Sequence, residues 1–281
     1  MSNNCKLKSI IMTISLSIFG AIIIGYAGIN AYLYFCQRSI LYLPVKEMAE
    51  PKNYGLYDTQ EIHLTTKDGV KIIAWYKKPK HNEPIMVYFQ GNKGNLGDRV
   101  EKLNEYINTG MGMLAVSWRG YGGSEGSPSE EGLYNDARAA IDYLTTSGVP
   151  LKDIFLYGES LGTGIAVQMA TEYDTKALVL EAPYTSISTK GAELYPYIPV
   201  KLLLKDHFDS IDKIGKVKVP VMIFHGYLDQ VMPIIHGRKM LQAANEPKQM
   251  RIFDHVGHTD FDFKEIARLT HDFVHGGAAN W

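Results

Sequence analysis

The chain begins with a long apolar segment and then changes to short apolar runs that alternate with amphipathic stretches. Residues 9–35 contain no charged side chain, and about twenty apolar residues are enough to cross a bilayer as a helix. The pattern predicts a short tail at 1–8 and a transmembrane anchor at 9–35. Three aromatic residues lie towards the far end of the run, where an interfacial belt is expected: Tyr26, Tyr32 and Tyr34.

Two other interpretations of this run stay open. A cleaved signal peptide would use Gly25-Tyr26-Ala27 as its small-x-small site, although such peptides normally have an apolar core of about 7–15 residues. The other is a helix buried in a globular domain. Lys6 and Lys8 before the run favour an inside N-terminus, whereas Arg38 just after it weakens that bias. We therefore expect a single-pass membrane protein with the bulk of the chain outside the cytoplasm.

The rest of the chain is predicted to form a connector at 36–58 and an α/β domain at 59–275. The connector is rich in Tyr and Leu, so we expect it to pack on the surface of the domain. Residues 61–66 and 70–76 flank an Asp-Gly turn that is typical of a β-hairpin. Six continuous apolar runs suit strands buried on both faces: 84–89, 113–118, 153–157, 177–181, 219–225 and 249–254. Three segments have helical periodicity: 130–144, 163–173 and 263–274. This alternation predicts a mostly parallel sheet with helices on both faces.

Residues 185–218 interrupt the alternation because they separate two strands by more than a usual connection. Pro196 and Pro199 break any long helix here. One interpretation is an ordinary crossover helix with a surface loop. The other, which we favour, is a small cap over a site at the C-terminal edge of the sheet, with an apolar underside supplied by Tyr195, Tyr197 and the run 202–204.

Composition excludes several classes of function. The chain has 281 residues, a formal net charge of −1 and 46% hydrophobic residues. A nucleic-acid-binding protein would usually be strongly basic, so we expect no such partner. Cys5 and Cys36 flank the apolar run and cannot form a disulfide framework, and no Cys/His zinc spacing is present.

One short stretch carries candidate chemistry. Ser160, in G-E-S-L-G, lies between the strand 153–157 and the helix that starts near Leu161. This strand–turn–helix setting is what a nucleophile elbow requires, although an ordinary glycine-rich turn is the alternative. The Leu161 N–H, at a helix N-terminus, points where an oxyanion would form. The second donor should follow the strand 84–89, where we choose the N–H of Asn92; a plain Gly-Asn turn is the alternative.

A nucleophilic serine needs a base and an acid. Three histidines have the required position at the C-terminal edge of the sheet: His225, His255 and His258. The H-x-x-H spacing of the last two would suit a metal, but no third ligand is evident. Asp229 follows a strand at the same edge and is the preferred acid to orient the base. Glu181, which ends the preceding strand, is the fallback.

Four motifs together resemble the α/β-hydrolase superfamily: G-E-S-L-G, S-W-R-G-Y-G-G-S-E-G-S-P-S-E-E-G, H-G-Y-L-D-Q-V-M-P and G-H-T-D. They are most similar to the membrane-anchored Bem46-like branch, which is related to the mammalian α/β-hydrolase domain-containing proteins 13 and 17. The resemblance covers residues 38–275. It implies an α/β-hydrolase fold with the following roles: Ser160 as nucleophile, Asp229 as acid, His258 as base, and Asn92 and Leu161 as oxyanion amides. Gln90-Gly91 departs from the His-Gly that is frequent in the family.

The expected function is that of a membrane-anchored serine hydrolase that cleaves carboxylic esters or thioesters through an acyl-enzyme. Its substrate would be a small-molecule or lipid acyl ester, with no cofactor and no metal required. The alternatives are a peptidase acting on small peptides or aminoacyl amides with the same fold, and a catalytically silent binding or scaffold protein.

Overall fold

A twisted eight-stranded sheet forms the centre of the molecule. A computed structural model describes the main chain of residues 2–276 and the side chains of residues 6–276. The strands in this part of the chain are β1 (Leu43–Pro44), β2 (Gln60–Thr65), β3 (Lys71–Lys77), β4 (Ile85–Phe89), β5 (Lys93–Gly94), β6 (Gly112–Val116), β7 (Ile154–Glu159), β8 (Ala177–Glu181), β9 (Val221–Gly226) and β10 (Lys248–Phe253).

The strand order in this sheet is β10-β9-β8-β7-β4-β6-β3-β2, while β1 and β5 form a separate parallel pair. The pairs β2–β3 and β3–β6 are antiparallel, and all the others are parallel. The expected hairpin and the mostly parallel sheet are therefore confirmed. Parallel strands place their carboxyl ends at one edge, which is where ligands bind in open α/β sheets.

Helices cover both faces of the sheet. Their bounds are α1 (Ser2–Leu41), α2 (Val100–Asn108), α3 (Glu130–Thr146), α4 (Gly162–Glu172), α5 (Ile187–Leu194), α6 (Val200–Leu203), α7 (Ile211–Ile214), α8 (Ile235–Ala243) and α9 (Phe263–Val274). Three 3₁₀ turns lie at Pro51–Tyr54, Leu96–Arg99 and Leu151–Asp153. The three segments with helical periodicity correspond to α3, α4 and α9.

Two hydrophobic cores lie on opposite sides of the sheet. Alternate residues of β4 point to different cores, with Val87 in one and Tyr88 in the other, as the two-residue period of a strand requires. The first core contains the apolar face of α3, including Ile141, together with α4. The second contains Leu103 of α2 and Ile266 of α9. The sheet is thus buried on both faces and its edge is left for the site.

Helix α1 continues beyond the predicted anchor. It includes residues 36–41 of the predicted connector, while later connector residues such as Tyr42 and Leu56 are buried against the domain. By length and composition the segment Lys6–Leu41 is apolar enough to cross a membrane, a criterion that a signal sequence near the N-terminus also meets. Cys36 has a free thiol; the side chain of Cys5 lies outside the described residues.

The predicted cap at 185–218 divides into two parts. Its first part contains the short helices α5 and α6. Tyr197, between these helices, and Leu202 of α6 are exposed and do not form the expected underside; Leu194 of α5 is exposed as well. Its second part returns to the body of the domain, where Phe208 and Ile214 are fully buried in the first core. The first part is therefore the more exposed of the two, and the second belongs to the core of the domain.

Candidate active site

Ser160 occupies the turn between β7 and α4 in a left-handed backbone conformation, with φ of +49°. Such a conformation is unfavourable for a residue with a side chain, and it persists where the surrounding structure holds it. The Ser160 N–H donates to the carbonyl of Glu181 in β8 at 2.9 Å. A side chain at Gly162 would collide with the carbonyl of Phe89, so glycine lets the turn lie against β4. The predicted nucleophile elbow is the conformation observed.

His258 lies between Ser160 and Asp229. Its Nε2 is 2.9 Å from the Ser160 Oγ, and its Nδ1 is 2.7 Å from the Asp229 Oδ2. An ionised carboxylate can only accept, so the proton is on Nδ1 and the Nε2 lone pair faces the serine hydroxyl. The structure thus brings the three residues of the predicted triad into one hydrogen-bonded chain with the geometry of a nucleophile, a base and an orienting acid.

The carboxylate of Asp229 is held by its own loop. Its Oδ1 accepts from the N–H groups of Val231 and Met232 at 2.9 and 2.8 Å, and its side chain is fully buried. Burial alone would raise the pKa of Asp229, but the hydrogen bonds from His258 and Met232 outweigh it and lower the pKa below its ordinary value. Asp229 is therefore ionised at neutral pH, as an acid that stabilises an imidazolium must be.

The two predicted oxyanion donors lie at the same edge of the sheet. No hydrogen bond from the N–H of Asn92 or Leu161 is found among the described residues 2–276. The loop of Asn92 is fixed because its carbonyl accepts from the Leu43 N–H at 2.9 Å and from the Tyr121 hydroxyl at 2.7 Å. A side chain at Gly91 would come within 3.6 Å of the Ser160 Cβ, so this loop passes directly beside the serine.

Comparison with known proteins identifies relatives of this chain and solved structures with the same fold. A family model described as serine aminopeptidase, S33, matches residues 82–211. The α/β hydrolase domain-containing protein WAV2 of Arabidopsis thaliana is 32% identical over 250 residues, which cover 80% of each chain. Protein bem46 of Schizosaccharomyces pombe is 27% identical over 257 residues, covering 86% of this chain and 82% of its own. The Pyrococcus furiosus esterase Pf2001 has the same fold, with a TM-score of 0.69 at 16% identity over 84% of this chain and 97% of that chain.

The chain belongs to the α/β-hydrolase family. The predicted fold, the likeness to Bem46 and the assignment to the hydrolases are confirmed.

The other residues considered for the site of this hydrolase are not members of the hydrogen-bonded chain, although the His225 Nε2 lies 3.6 Å from the Asp229 Oδ2. His255 is exposed. His225 is fully buried, and its Nε2 donates to the Met232 carbonyl at 2.7 Å; burial lowers its pKa, so it supports the Asp229 loop as a neutral imidazole. Glu181 accepts from Lys102 instead of approaching His258.

Gln90, where the hydrolase departs from the His-Gly of the family, is fully buried. The indole N–H of Trp118 donates to its main-chain carbonyl at 3.1 Å. Neither its side-chain oxygen nor its side-chain nitrogen has a hydrogen-bond partner in the part of the chain that the structure describes. The amide of this side chain is therefore buried without compensation directly before the Gly91-Asn92 main chain.

A buried charge cluster beside Ser160 was not predicted from the sequence. The Lys102 ammonium lies between Glu159 and Glu181, 2.8 Å from the second, and Arg99 contacts Glu159 at 3.1 Å. The Arg99 guanidinium also donates to the carbonyl of Lys93, at 3.0 Å. Lys93 follows Asn92 in the loop after β4, which is called the oxyanion loop below because it carries the predicted donor. The signal in the sequence was that two neighbouring parallel strands both end in Glu, which places two buried carboxylates at one edge and calls for a cation between them.

The protonation states in this cluster follow from its charges. Burial alone would raise the pKa of Glu159, but the charges of Lys102 and Arg99 outweigh it and lower the pKa. For Glu181 burial prevails over the single shared ammonium, and its pKa is raised. Two cations thus face two carboxyl groups directly behind Ser160. The cluster joins the ends of β7 and β8 to helix α2.

A cavity of about 350 Å³ lies beside the hydrogen-bonded chain, between α1 and the cap. It reaches Asn92 and Met232 at one end and the cap helices α5 and α6 at the other. Its walls are mostly apolar, and no carboxylate of the described residues lines it. Its volume is within the usual range for a small-molecule site.

One group of side chains could hold a metal ion within the described residues: Glu83, His271 and His275, whose ligand atoms lie within 4.8 Å of one another. Glu83 precedes β4, and the two histidines lie at the end of α9. This group is therefore at the opposite edge of the sheet from Ser160 and takes no part in the arrangement around it. The H-x-x-H pair of His255 and His258 does not belong to the group.

Proposed function

We propose that the chain is a single-pass membrane-anchored serine hydrolase that cleaves carboxylic esters or thioesters through an acyl-enzyme. The observation that carries the proposal is the hydrogen-bonded chain from Ser160 Oγ through His258 to Asp229, with distances of 2.9 and 2.7 Å. Two unpaired main-chain amides at the same sheet edge, from Asn92 and Leu161, support it.

In the proposed reaction the Ser160 oxygen attacks the substrate carbonyl carbon while His258 Nε2 takes the hydroxyl proton. The N–H groups of Leu161 and Asn92 donate to the carbonyl oxygen as it becomes negative. His258 then gives its proton to the leaving oxygen or sulfur, and the acyl-enzyme forms. Water attacks that ester with His258 again as base, which releases the acid and restores Ser160. Ionised Asp229 holds the imidazole tautomer and stabilises the imidazolium.

The membrane anchor is proposed from α1. Its segment Lys6–Leu41 is long enough to span a bilayer. Arg38, whose charge opposes an inside N-terminus in the sequence, forms a bidentate ion pair with Asp206 at 2.8 and 2.9 Å. The inside N-terminus and the catalytic domain outside the cytoplasm are proposed from Lys6 and Lys8, two basic residues before the span against Arg38 directly after it.

A peptidase is the second candidate, since the matching family model is described as a serine aminopeptidase. A free substrate amino group is usually recognised by a carboxylate, and none lines the cavity beside Asn92. An apolar cavity instead favours an acyl chain. A silent binding protein would have no use for a strained serine hydrogen-bonded to a histidine.

The test compares wild type with Ser160→Ala and with the control Ser147→Ala. Ser147 is an exposed serine at the C-terminal end of α3. We expect a fluorophosphonate probe to label wild type and Ser147→Ala but not Ser160→Ala. Hydrolysis of p-nitrophenyl esters should follow the same order and exceed that of aminoacyl p-nitroanilides. Equal labelling of Ser160→Ala would refute the assignment of Ser160 as the nucleophile. A folded wild type that neither reacts with the probe nor hydrolyses the esters would favour a scaffold protein. A preference for the anilides would favour a peptidase.

A further inference from the structure

The C-terminal part of α1 is attached to the cap along one helix face. The Tyr26 hydroxyl donates to the Tyr197 carbonyl at 2.8 Å. Further along, the Gln37 side chain donates to the Leu203 carbonyl at 3.1 Å and accepts from the Lys205 N–H at 2.6 Å. Residues at intervals of three or four share a face of a helix. A helix held by that face is a part of the domain and more than a flexible tether.

The same helix face forms one wall of the cavity beside the catalytic residues. Leu33 and Leu41 line it from α1, and Ile187 and Val200 line it from the cap. Without α1 the cavity would be an open groove. Its mostly apolar walls fit a hydrocarbon chain, because each buried methylene group contributes about 0.8 kcal/mol.

The cavity lies beside the proposed site, although Ser160, Asp229 and His258 are not among the residues that line it. Asn92, whose N–H is a proposed oxyanion donor, lines one end. Met232, which lines the same end, donates its N–H to Asp229. An ester carbonyl bound at the Asn92 amide therefore has this cavity as the space for its acyl chain.

The outer side of the cap is apolar and adjoins the membrane-spanning part of α1. Tyr197 and Leu202 expose 86% and 85% of their surface, and Leu194 exposes 61%. The Tyr197 carbonyl is bonded to Tyr26, which lies inside the uncharged run 9–35. A bilayer crossed by that run reaches the cap at this contact, so lipid covers these side chains.

We propose that α1 and the cap together form an acyl-chain pocket that is filled from the bilayer, so that the substrates are membrane-resident esters or thioesters with a long hydrocarbon chain. This inference rests on the proposed hydrolase function and adds to it the class of substrate and the second role of the anchor. The chain enters between α1 and the cap, while the leaving group remains on the aqueous side of Ser160.

The experiment uses the full chain in phosphatidylcholine nanodiscs and p-nitrophenyl esters from acetate to palmitate. Leu33→Trp fills the cavity from α1. Ile24→Trp is the matched control, since nine residues of a helix place it half a turn away and its side chain is 74% exposed. We expect Leu33→Trp to lower the palmitate-to-acetate activity ratio by at least about tenfold, because several methylene groups lose their contacts, and Ile24→Trp to leave it unchanged.

A second readout does not depend on hydrolysis. A hexadecanoic acid with a diazirine near its methyl end should crosslink to peptides containing Leu33, Ile187 or Val200 in the Ser160→Ala protein, and excess palmitate should compete. Crosslinking should be lost in the Leu33→Trp variant and kept in Ile24→Trp. If wild type hydrolyses esters but Leu33→Trp changes neither ratio nor crosslinking, the pocket is refuted and the hydrolase stands. If no ester is cleaved while the crosslinks form, the hydrolase function fails and the pocket remains.

Discussion

At the scale of single residues, the histidine pair in D-H-V-G-H-T-D offers a direct test of the base. His258 contacts both Ser160 and Asp229, whereas His255 is exposed three residues earlier. We expect His258→Ala to lower kcat/KM for a p-nitrophenyl ester by about 10⁴-fold or more, because the serine loses its proton acceptor. His255→Ala should retain wild-type activity. Comparable losses in the two variants would contradict the assignment.

The lowered pKa of Asp229 predicts how the stability of the fold changes at acid pH. Its pKa is lower in the folded protein than in an unfolded chain, so folding favours the ionised form. Its contribution to the unfolding free energy is complete above about pH 4 and is lost as the pH falls through the lower folded value. Asp229→Asn lacks this titration. Between about pH 4 and pH 2 the unfolding free energy of wild type should therefore fall more steeply than that of the variant.

Urea unfolding at several pH values, followed by tryptophan fluorescence, measures this difference. The matched control is Asp254→Asn, because Asp254 lies on the exposed loop after β10 and should follow the wild-type pH dependence. A curve for Asp229→Asn that runs parallel to wild type would show that the carboxylate is equally stable in the unfolded chain.

At the scale of secondary structure, the eight strands of the central sheet were predictable, whereas the short pair β1–β5 and helix α2 were not. Buried parallel strands are continuous apolar runs, so their signal is strong even without a partner. Helix α2 has only nine residues, and its buried face includes Lys102 beside Leu103. A periodicity analysis assigns a lysine to the exposed face of a helix, so Lys102 weakens the apolar pattern of α2. Its burial is explained only by Glu159 and Glu181, which come from strands far along the chain.

The same dependence on tertiary contacts limited how much of the candidate site could be predicted. Ser160, Asp229 and His258 could be chosen because each follows a strand at the edge where parallel strands end, and a family resemblance selected among the histidines. Nothing local indicates that Lys102 faces the nucleophile turn from behind or that Arg99 joins that turn to the oxyanion loop. Such contacts depend on the packing of α2 against the sheet, which the one-dimensional pattern does not contain.

The packing of α2 predicts a large effect for one substitution. Lys102→Met removes the ammonium between two fully buried carboxyl groups, and breaking a buried pair from one side costs about 3–5 kcal/mol. Urea unfolding should show a loss of this size. Lys152→Met, at an exposed lysine, should change stability by less than about 0.5 kcal/mol.

Charge balance separates this explanation from a loss of packing. Glu159 keeps Arg99 in Lys102→Met, so Glu181 is the carboxyl group that loses its cation. Adding Glu181→Gln removes that group, and the double variant should recover part of the lost stability. An equal or greater loss in the double variant would indicate that the Lys102 side chain acts through its packing alone.

At the scale of the whole molecule, α1 connects the proposed membrane anchor with the cap, two features that are separate in the sequence. Helix α1 and the cap are far apart along the chain, yet the contacts Tyr26–Tyr197 and Arg38–Asp206 join them directly. The carboxylate of Asp206 is buried and also accepts from the Glu130 N–H at 3.0 Å. Removal of Arg38 would leave that carboxylate with one fewer charged partner beside the first core.

Two truncations test whether α1 is part of the folded domain. A chain that starts at residue 26 keeps the face that contacts the cap, whereas one that starts at residue 42 loses Gln37, Arg38 and the cavity wall. Charge-assisted hydrogen bonds contribute about 1.5–3 kcal/mol, and the opened cavity adds exposed apolar surface. Measured in one detergent, thermal unfolding of the 42–281 chain should therefore occur at a lower temperature than that of the 26–281 chain. Arg38→Ala in the full chain should reproduce part of the loss. Equal unfolding temperatures for the two truncated chains would mean that α1 is only a tether, because neither its ion pair nor its cavity wall would then contribute to the stability of the fold.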